Sequence, residues 1–299
     1  MLPSGTGEGD FMRYSRRDFP DDFIFGTAAA SYQIEGARFE GGRSESIWDR
    51  FCDQDGKILD GSSGDTACDH YHRYREDFRL MKALGVDSYR LSLAWCRIVP
   101  GGTGAVNEAG IAFYRELIDA LLEEGITPVI TLYHWDLPQI LEDSGGWANR
   151  ETAYAFAEYA DVCFRSFGDS CSRWITLNEP LCSSLFGYGT GVHAPGISDP
   201  DKMYRAIHHL NLGHGLALEK FRSGRYRGEI GTTLNLARIL PASANPEDQL
   251  AADRATDFAS RMYLHPLIGK GYPQRHLALH PEIPMPIEPG DMDIIAGRI

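Results

Sequence analysis

This 299-residue sequence lacks a basic excess, paired cysteines and any long apolar run, and each lack removes a class of function. Basic residues number 29 against 42 acidic ones, a formal net charge of −13, which argues against nucleic acid or an anionic membrane as the main partner. Neutral ligands stay compatible. Six cysteines, Cys52, Cys68, Cys96, Cys163, Cys171 and Cys182, are scattered without a CxxC pair or zinc-type spacing, so neither a disulfide framework nor a metal knuckle is implied. A reduced, cytoplasmic setting is expected from that usage. No segment reaches the length of a membrane span, and Met1 to Asp10 is Gly-rich and polar without an apolar stretch of signal-peptide length. Residues 1–13 are expected to form a flexible tail and residues 14–299 one domain. The Gly-rich loop Gly187 to Gly196 has no Lys-Ser/Thr ending, which excludes a phosphate loop, and nothing in the sequence calls for a cofactor.

What is present is an alternation of two periodicities. Phe23 to Ala28 reads as a buried strand followed by a loop, Ser31 to Gly36, and a long ordered loop from Glu40 to Asp69 anchored by Trp48 and Phe51. Tyr71, Tyr74, Phe78, Met81 and Leu84 recur at helical spacing and stop at Gly85. Strands are then expected at Val86 to Trp95, Thr127 to Leu132, around Trp174 to Asn178, and at Gly231 to Leu236. Helices are expected from about Asn107, over about Arg150 to Phe167, over about Lys202 to Arg222, and near Asp248 to Tyr263. Strands alternating with helices require right-handed crossovers and a parallel sheet. Periodicity leaves a doubly wound sheet and a (β/α)8 barrel both open; polar residues at the ends of successive strands favour the barrel, whose site draws on several strand ends at one mouth.

Those strand ends carry the chemistry. Trp174-Ile175-Thr176-Leu177-Asn178-Glu179-Pro180 is an apolar, β-branched strand that stops at a proline and presents an amide beside a carboxyl; locally it is either a capped turn or a site. Around it the other ends supply Gln33, Arg90, His134, Trp135 and Asn235. Amide and imidazole groups grip vicinal hydroxyls in pairs, and an indole stacks on the apolar face of a pyranose, so the set specifies a sugar. Asn235 is open between sugar contact and strand-end cap.

Four motifs then stand in order: Phe23-Ile24-Phe25-Gly26-Thr27-Ala28-Ala29-Ala30-Ser31-Tyr32-Gln33-Ile34-Glu35-Gly36, Tyr89-Arg90-Leu91-Ser92-Leu93-Ala94-Trp95, Thr131-Leu132-Tyr133-His134-Trp135-Asp136-Leu137-Pro138 and Thr176-Leu177-Asn178-Glu179-Pro180. By them the chain resembles family 1 glycoside hydrolases of the β-glucosidase and β-galactosidase type, from Phe19 to about Tyr263. The resemblance implies a (β/α)8 TIM barrel that cleaves terminal β-linked sugars, glucosides or galactosides, with retention. Glu179 matches the family's general acid/base, Asn178 the residue that holds the sugar 2-hydroxyl, Gln33, His134 and Trp135 the sugar-binding set, and Arg90 the arginine that orients the nucleophile. A retaining reaction needs a proton donor on one side of the glycosidic bond and a carboxylate about 5 to 5.5 Å away on the other.

The resemblance also implies a nucleophilic glutamate near the end of strand seven, in a Thr-Glu-Asn-Gly type motif, and this sequence contains no such motif. About five βα units are expected here, with strands six to eight absent, two open sheet edges, and association with a completing chain or with further copies. The isolated chain is then expected to have at most trace hydrolase activity. The alternative is a non-catalytic carbohydrate-binding or self-assembling module. Among other polar residues, His70 and His72 point in different directions at a helix start and make a poor metal pair. His208, His209 and His214 read as helix surface and packing, and Trp48, Trp95 and Trp147 as packing residues.

Overall fold

The computed structural model describes residues 15–297. Five strands, β1 (Gly26–Ala28), β2 (Ser88–Ser92), β3 (Thr127–Tyr133), β4 (Arg173–Asn178) and β5 (Glu229–Thr233), form one parallel sheet in the order β1-β2-β3-β4-β5. Every neighbour is also the next strand in sequence, which is how a barrel winds and not how a doubly wound sheet does. The crossovers carry α1 (His70–Ala83), α2 (Glu108–Glu123), α3 (Glu151–Phe167) and α4 (Pro200–Ser223); α5 (Pro246–Thr256) follows β5, and α6 (Asp291–Ile295) lies near the end of the described chain. The arrangement is an incomplete (β/α)8 barrel.

Most elements form where the sequence places them, because their apolar spacing matches what they bury. In α3, Phe156, Tyr159, Phe164 and Phe167 are buried together, and Phe164 meets Trp174 edge-on at 5.0 Å between ring centres. Helix α4 starts at Pro200, with Asp199 accepting hydrogen bonds from the Asp201 and Lys202 amides. Trp95 and Trp147 are packing residues, as expected: both are fully buried, Trp95 stacked on Tyr159 at 4.8 Å.

Three local expectations are corrected. The first strand is three exposed residues rather than the buried run Phe23 to Ala28; Phe23 and Ile24 are about half exposed, because β1 pairs only with β2 among the described residues. The expected loop Gly187 to Gly196 is not loop throughout: its first three residues end a π-helix, Cys182–Gly189. A Cβ on Gly187 would stand 2.8 Å from the Ala194 carbonyl oxygen, so this glycine serves close packing rather than flexibility. His208, His209 and His214 are buried rather than on a helix surface, since α4 is covered by α3 on one side and by α6 on another.

α6 is held by a buried polar knot. Asp291 takes a bidentate pair from Arg150 at the start of α3, with one bond of 2.9 Å, a 2.8 Å contact from His208 Nε2, and the Glu288 amide at 2.8 Å. His208 Nδ1 lies 3.0 Å from the Tyr272 hydroxyl, which also accepts from Asn211. Despite burial, these donors hold the Asp291 carboxyl well below the usual carboxylate range. A depressed carboxylate stabilises the fold above the unfolded pKa and loses that contribution as pH falls. Asp291→Asn should therefore cost about 3–5 kcal/mol at neutral pH in urea unfolding, and progressively less below about pH 4.

Candidate functional site

The C-terminal ends of the strands converge on Asn178, which is 4% exposed. Its side-chain oxygen accepts from Arg90 Nη2 of β2 at 2.5 Å and from the Thr233 hydroxyl of β5 at 3.1 Å. Its side-chain nitrogen lies 3.2 Å from His134 Nε2, just past β3, and its carbonyl accepts from the Trp135 indole at 2.8 Å. Burial pushes His134 down to about 4, with Arg90 adding to the effect, so near neutral pH the ring is uncharged and its Nε2 accepts from the amide. Arg90 is braced by the Thr131 hydroxyl at 2.9 Å. Burial lowers its pKa and the Glu179 charge acts in the opposite sense. A single register shift in β4–β5, between Ile175 and Asn178, lies where these groups meet.

Glu179 follows directly and carries φ of 47°, in the left-handed region. Its amide donates to the Thr233 carbonyl at 3.0 Å, which fixes the turn at the open side of the mouth. Trp135, with φ of 76°, is the second non-glycine residue of the site in this region. Such residues cost about 1–3 kcal/mol each and persist only where surrounding contacts over-determine them. Asn235, two residues beyond β5, reaches Glu179 indirectly. Its amide contacts Cys182 Sγ at 3.5 Å, and that thiol lies 3.6 Å from Glu179 Oε2. Burial, aided by the Glu179 charge, pushes the Cys182 thiol up to about 12, so it stays protonated and donates.

Gln33 and the rings of His134 and Trp135 open onto a cavity of about 360 Å³. Its remaining walls include Tyr32, Trp48, Cys52, Ile58 and His193, with ring centres of Trp48 and Trp135 each 5.5 Å from that of His193. Trp48 therefore packs and also faces the cavity, a role its isolated place in a Gly- and Asp-rich stretch did not signal. His193, Thr131 and Thr233 were also missed; a threonine on a strand interior reads as strand propensity and not as a brace. Asn178 and Glu179 border the mouth without lining this cavity.

Of the histidines weighed for metal, His70 Nδ1 meets Asp77 at 2.6 Å and His72 Nδ1 meets Asp69 at 2.7 Å, each a local hydrogen-bonded contact. Among the described residues no three His, Cys, Asp or Glu side chains converge as a metal site, and no helix is long and apolar enough to cross a membrane.

A parallel β/α sheet with a polar cluster at its strand ends is the arrangement of an incomplete (β/α)8 barrel, and comparison places its family. The family model for glycosyl hydrolase family 1 matches residues 15–299, further than the motifs alone suggested, and the chain belongs to that family. It is 50% identical over 266 residues to Beta-glucosidase A of Acetivibrio thermocellus, covering 89% of this chain and 59% of that protein. It is 46% identical over 259 residues to Beta-glucosidase A of Thermotoga maritima, covering 86% and 58%. The crystal structure of a psychrophilic beta-glucosidase from Micrococcus antarcticus superposes with a TM-score of 0.91 at 48% identity, over 94% of this chain and 60% of that one. The chain thus spans less than two thirds of the length of these relatives.

Two substitutions probe the site's construction. Glu179→Gly should melt above Glu179→Ala, by about 1 kcal/mol in thermal unfolding, because only glycine relieves the left-handed strain; an alanine variant of equal stability would show that the turn is not strained. Behind the site, the Tyr188 hydroxyl of the π-helix donates to Glu142, whose carboxyl burial pushes up to about 7. A raised carboxyl stabilises the fold below its unfolded pKa and loses that contribution as pH rises. Glu142→Gln should therefore flatten the decline of melting temperature between about pH 4 and pH 7.

Proposed function

We propose that this chain carries the sugar-binding and proton-donating half of a retaining β-glucosidase. The observation that carries the reading is the convergence of Arg90, His134, Trp135 and Glu179 on Asn178 at the strand ends. Substrate class is supported by the relatives, which are β-glucosidases, and by a related virulence factor from Agrobacterium tumefaciens, 41% identical, whose structure contains the substrate analogue salicin.

In this reading the sugar 2-hydroxyl lies against the Asn178 amide, whose oxygen is committed to Arg90 and Thr233 and one of whose N–H groups goes to His134; the second N–H is the group left to turn to the substrate. Gln33 and neutral His134 bind further hydroxyls, and Trp135 presents its ring. Glu179 delivers a proton to the glycosidic oxygen as the bond to the leaving group breaks, and afterwards takes one from the attacking water. The carboxylate that attacks from the opposite face is assigned to sequence outside these 299 residues. Arg90 stands between the strands as the group that would orient it.

Among the described residues no strand pairs with the outer edges of β1 and β5, which supports association with the remaining barrel units or with further copies of the chain. A gel-filtration profile of a compact monomer would count against that assembly.

Tested on an aryl β-D-glucoside, the 299-residue chain should show at most trace turnover. Joined to the remaining length typical of its relatives it should turn over, and Glu179→Gln should then lower turnover about 100- to 10,000-fold for substrates with poor leaving groups. Unimpaired hydrolysis by Glu179→Gln would overturn the assignment.

A further inference from the structure

We propose that Asp136 is a positioning residue of the sugar site, locking through Ser31 and Ser92 the three segments that carry Gln33, Arg90 and His134-Trp135. The inference rests on the β-glucosidase reading and adds a residue that contacts no substrate.

Asp136, Ser31 and Ser92 are 1%, 3% and 2% exposed, yet all three are polar and come from three different strand ends. Ser31 opens the short helix Ser31–Ile34 that carries Gln33, Ser92 closes β2 two residues after Arg90, and Asp136 directly follows Trp135. The Ser31 amide donates to Ser92 Oγ at 2.7 Å, Ser92 Oγ lies 3.1 Å from Ser31 Oγ, and Ser31 Oγ donates to Asp136 Oδ2 at 2.8 Å. With the carboxyl ionised it can only accept, so the Ser31 proton goes to Asp136 and the Ser92 proton to Ser31.

The chain of bonds is sealed from water and therefore costly to break at any member, since each break strands a buried donor or acceptor. Oδ1 of Asp136 has no hydrogen-bond partner among the described residues, and Asp136 borders a void of about 10 Å³ beside Ser31, Tyr32 and Arg43. Burial pushes the Asp136 carboxyl up to about 7, while the Ser31 hydrogen bond and the charge of Arg43, itself paired to Asp49 at 2.8 Å, act in the opposite sense. The carboxyl is thus held by position as well as by its bond, and Trp135, whose backbone is in the left-handed region, is pinned between this anchor and the indole bond to Asn178. A carboxyl here joins a short helix, a strand end and a loop through hydroxyl protons, which core packing alone does not require.

The test measures binding of p-nitrophenyl 1-thio-β-D-glucoside, which resists hydrolysis, to the 299-residue chain by NMR titration, together with melting temperature. Ser31→Ala and Asp136→Ala should each weaken binding about tenfold at temperatures where the variants remain folded, since each strands a buried partner and loosens the same loops. Their double variant should bind no worse than the weaker single, because both cut one chain of bonds. Asp136→Asn, which keeps an acceptor toward Ser31, should bind within about threefold of the unsubstituted chain. If Asp136→Ala does not fold, Ser31→Ala decides alone, as it removes one hydroxyl. Folded variants with lower melting temperatures but unchanged affinity would overturn the inference and leave the glycosidase reading standing. Failure of the unsubstituted chain to bind would overturn both.

Discussion

The mouth of this barrel depends on one amide. Asn178 cross-links four strands: its oxygen ties β2 to β5 through Arg90 and Thr233, its nitrogen reaches the end of β3 through His134, and its carbonyl fixes Trp135. In water each bond would exchange freely with solvent, but at 4% exposure the alternative to pairing is an unsatisfied polar group. The same requirement keeps His134 neutral and Arg90 threaded through the sheet interior. The strained backbone of Glu179 and Trp135 is sustained by these contacts, so the placement of these two residues is set by a network and not by their own conformational preference.

A second layer supports that network from behind. Tyr188 and Glu142 secure the π-helix that follows Glu179, while Ser184 Oγ meets the Tyr263 hydroxyl at 2.9 Å and joins it to the segment after β5. Further along, Glu35 from the first motif accepts from the Tyr114 hydroxyl at 2.7 Å and lies 3.3 Å from fully buried Arg97. Buried ion pairs of this kind add little net stability but are costly to leave half made, so they specify one arrangement of the loops. The knot around Asp291 does the same for the last described helix.

Much of this was legible in the residues. Helical spacing marked α1 to α4 to within a few residues, because each buries one apolar stripe. The four motifs named the barrel and brought Gln33, Arg90, His134, Trp135, Asn178 and Glu179 forward as a set. Two kinds of feature were not legible. Edge position was one: Phe23 and Ile24 have the composition of a buried strand, and only the sheet order shows that nothing described covers them. Long-range partnership was the other, since Asp291, His208 and Arg150 lie far apart in sequence and none carries a local sign of its partners.

The sequence by itself determined the alternation of strands and helices, the family, and which side chains stand at the strand ends, because these follow from periodicity and from short contiguous motifs. The tertiary structure alone decided that Asn178 is their hub, that Trp48 and His193 share a cavity wall with Trp135, and that Asp136 is joined to Ser31 and Ser92. Those relations depend on parallel strands distant in the chain being brought side by side, and on burial turning ordinary hydroxyls and carboxyls into obligatory partners.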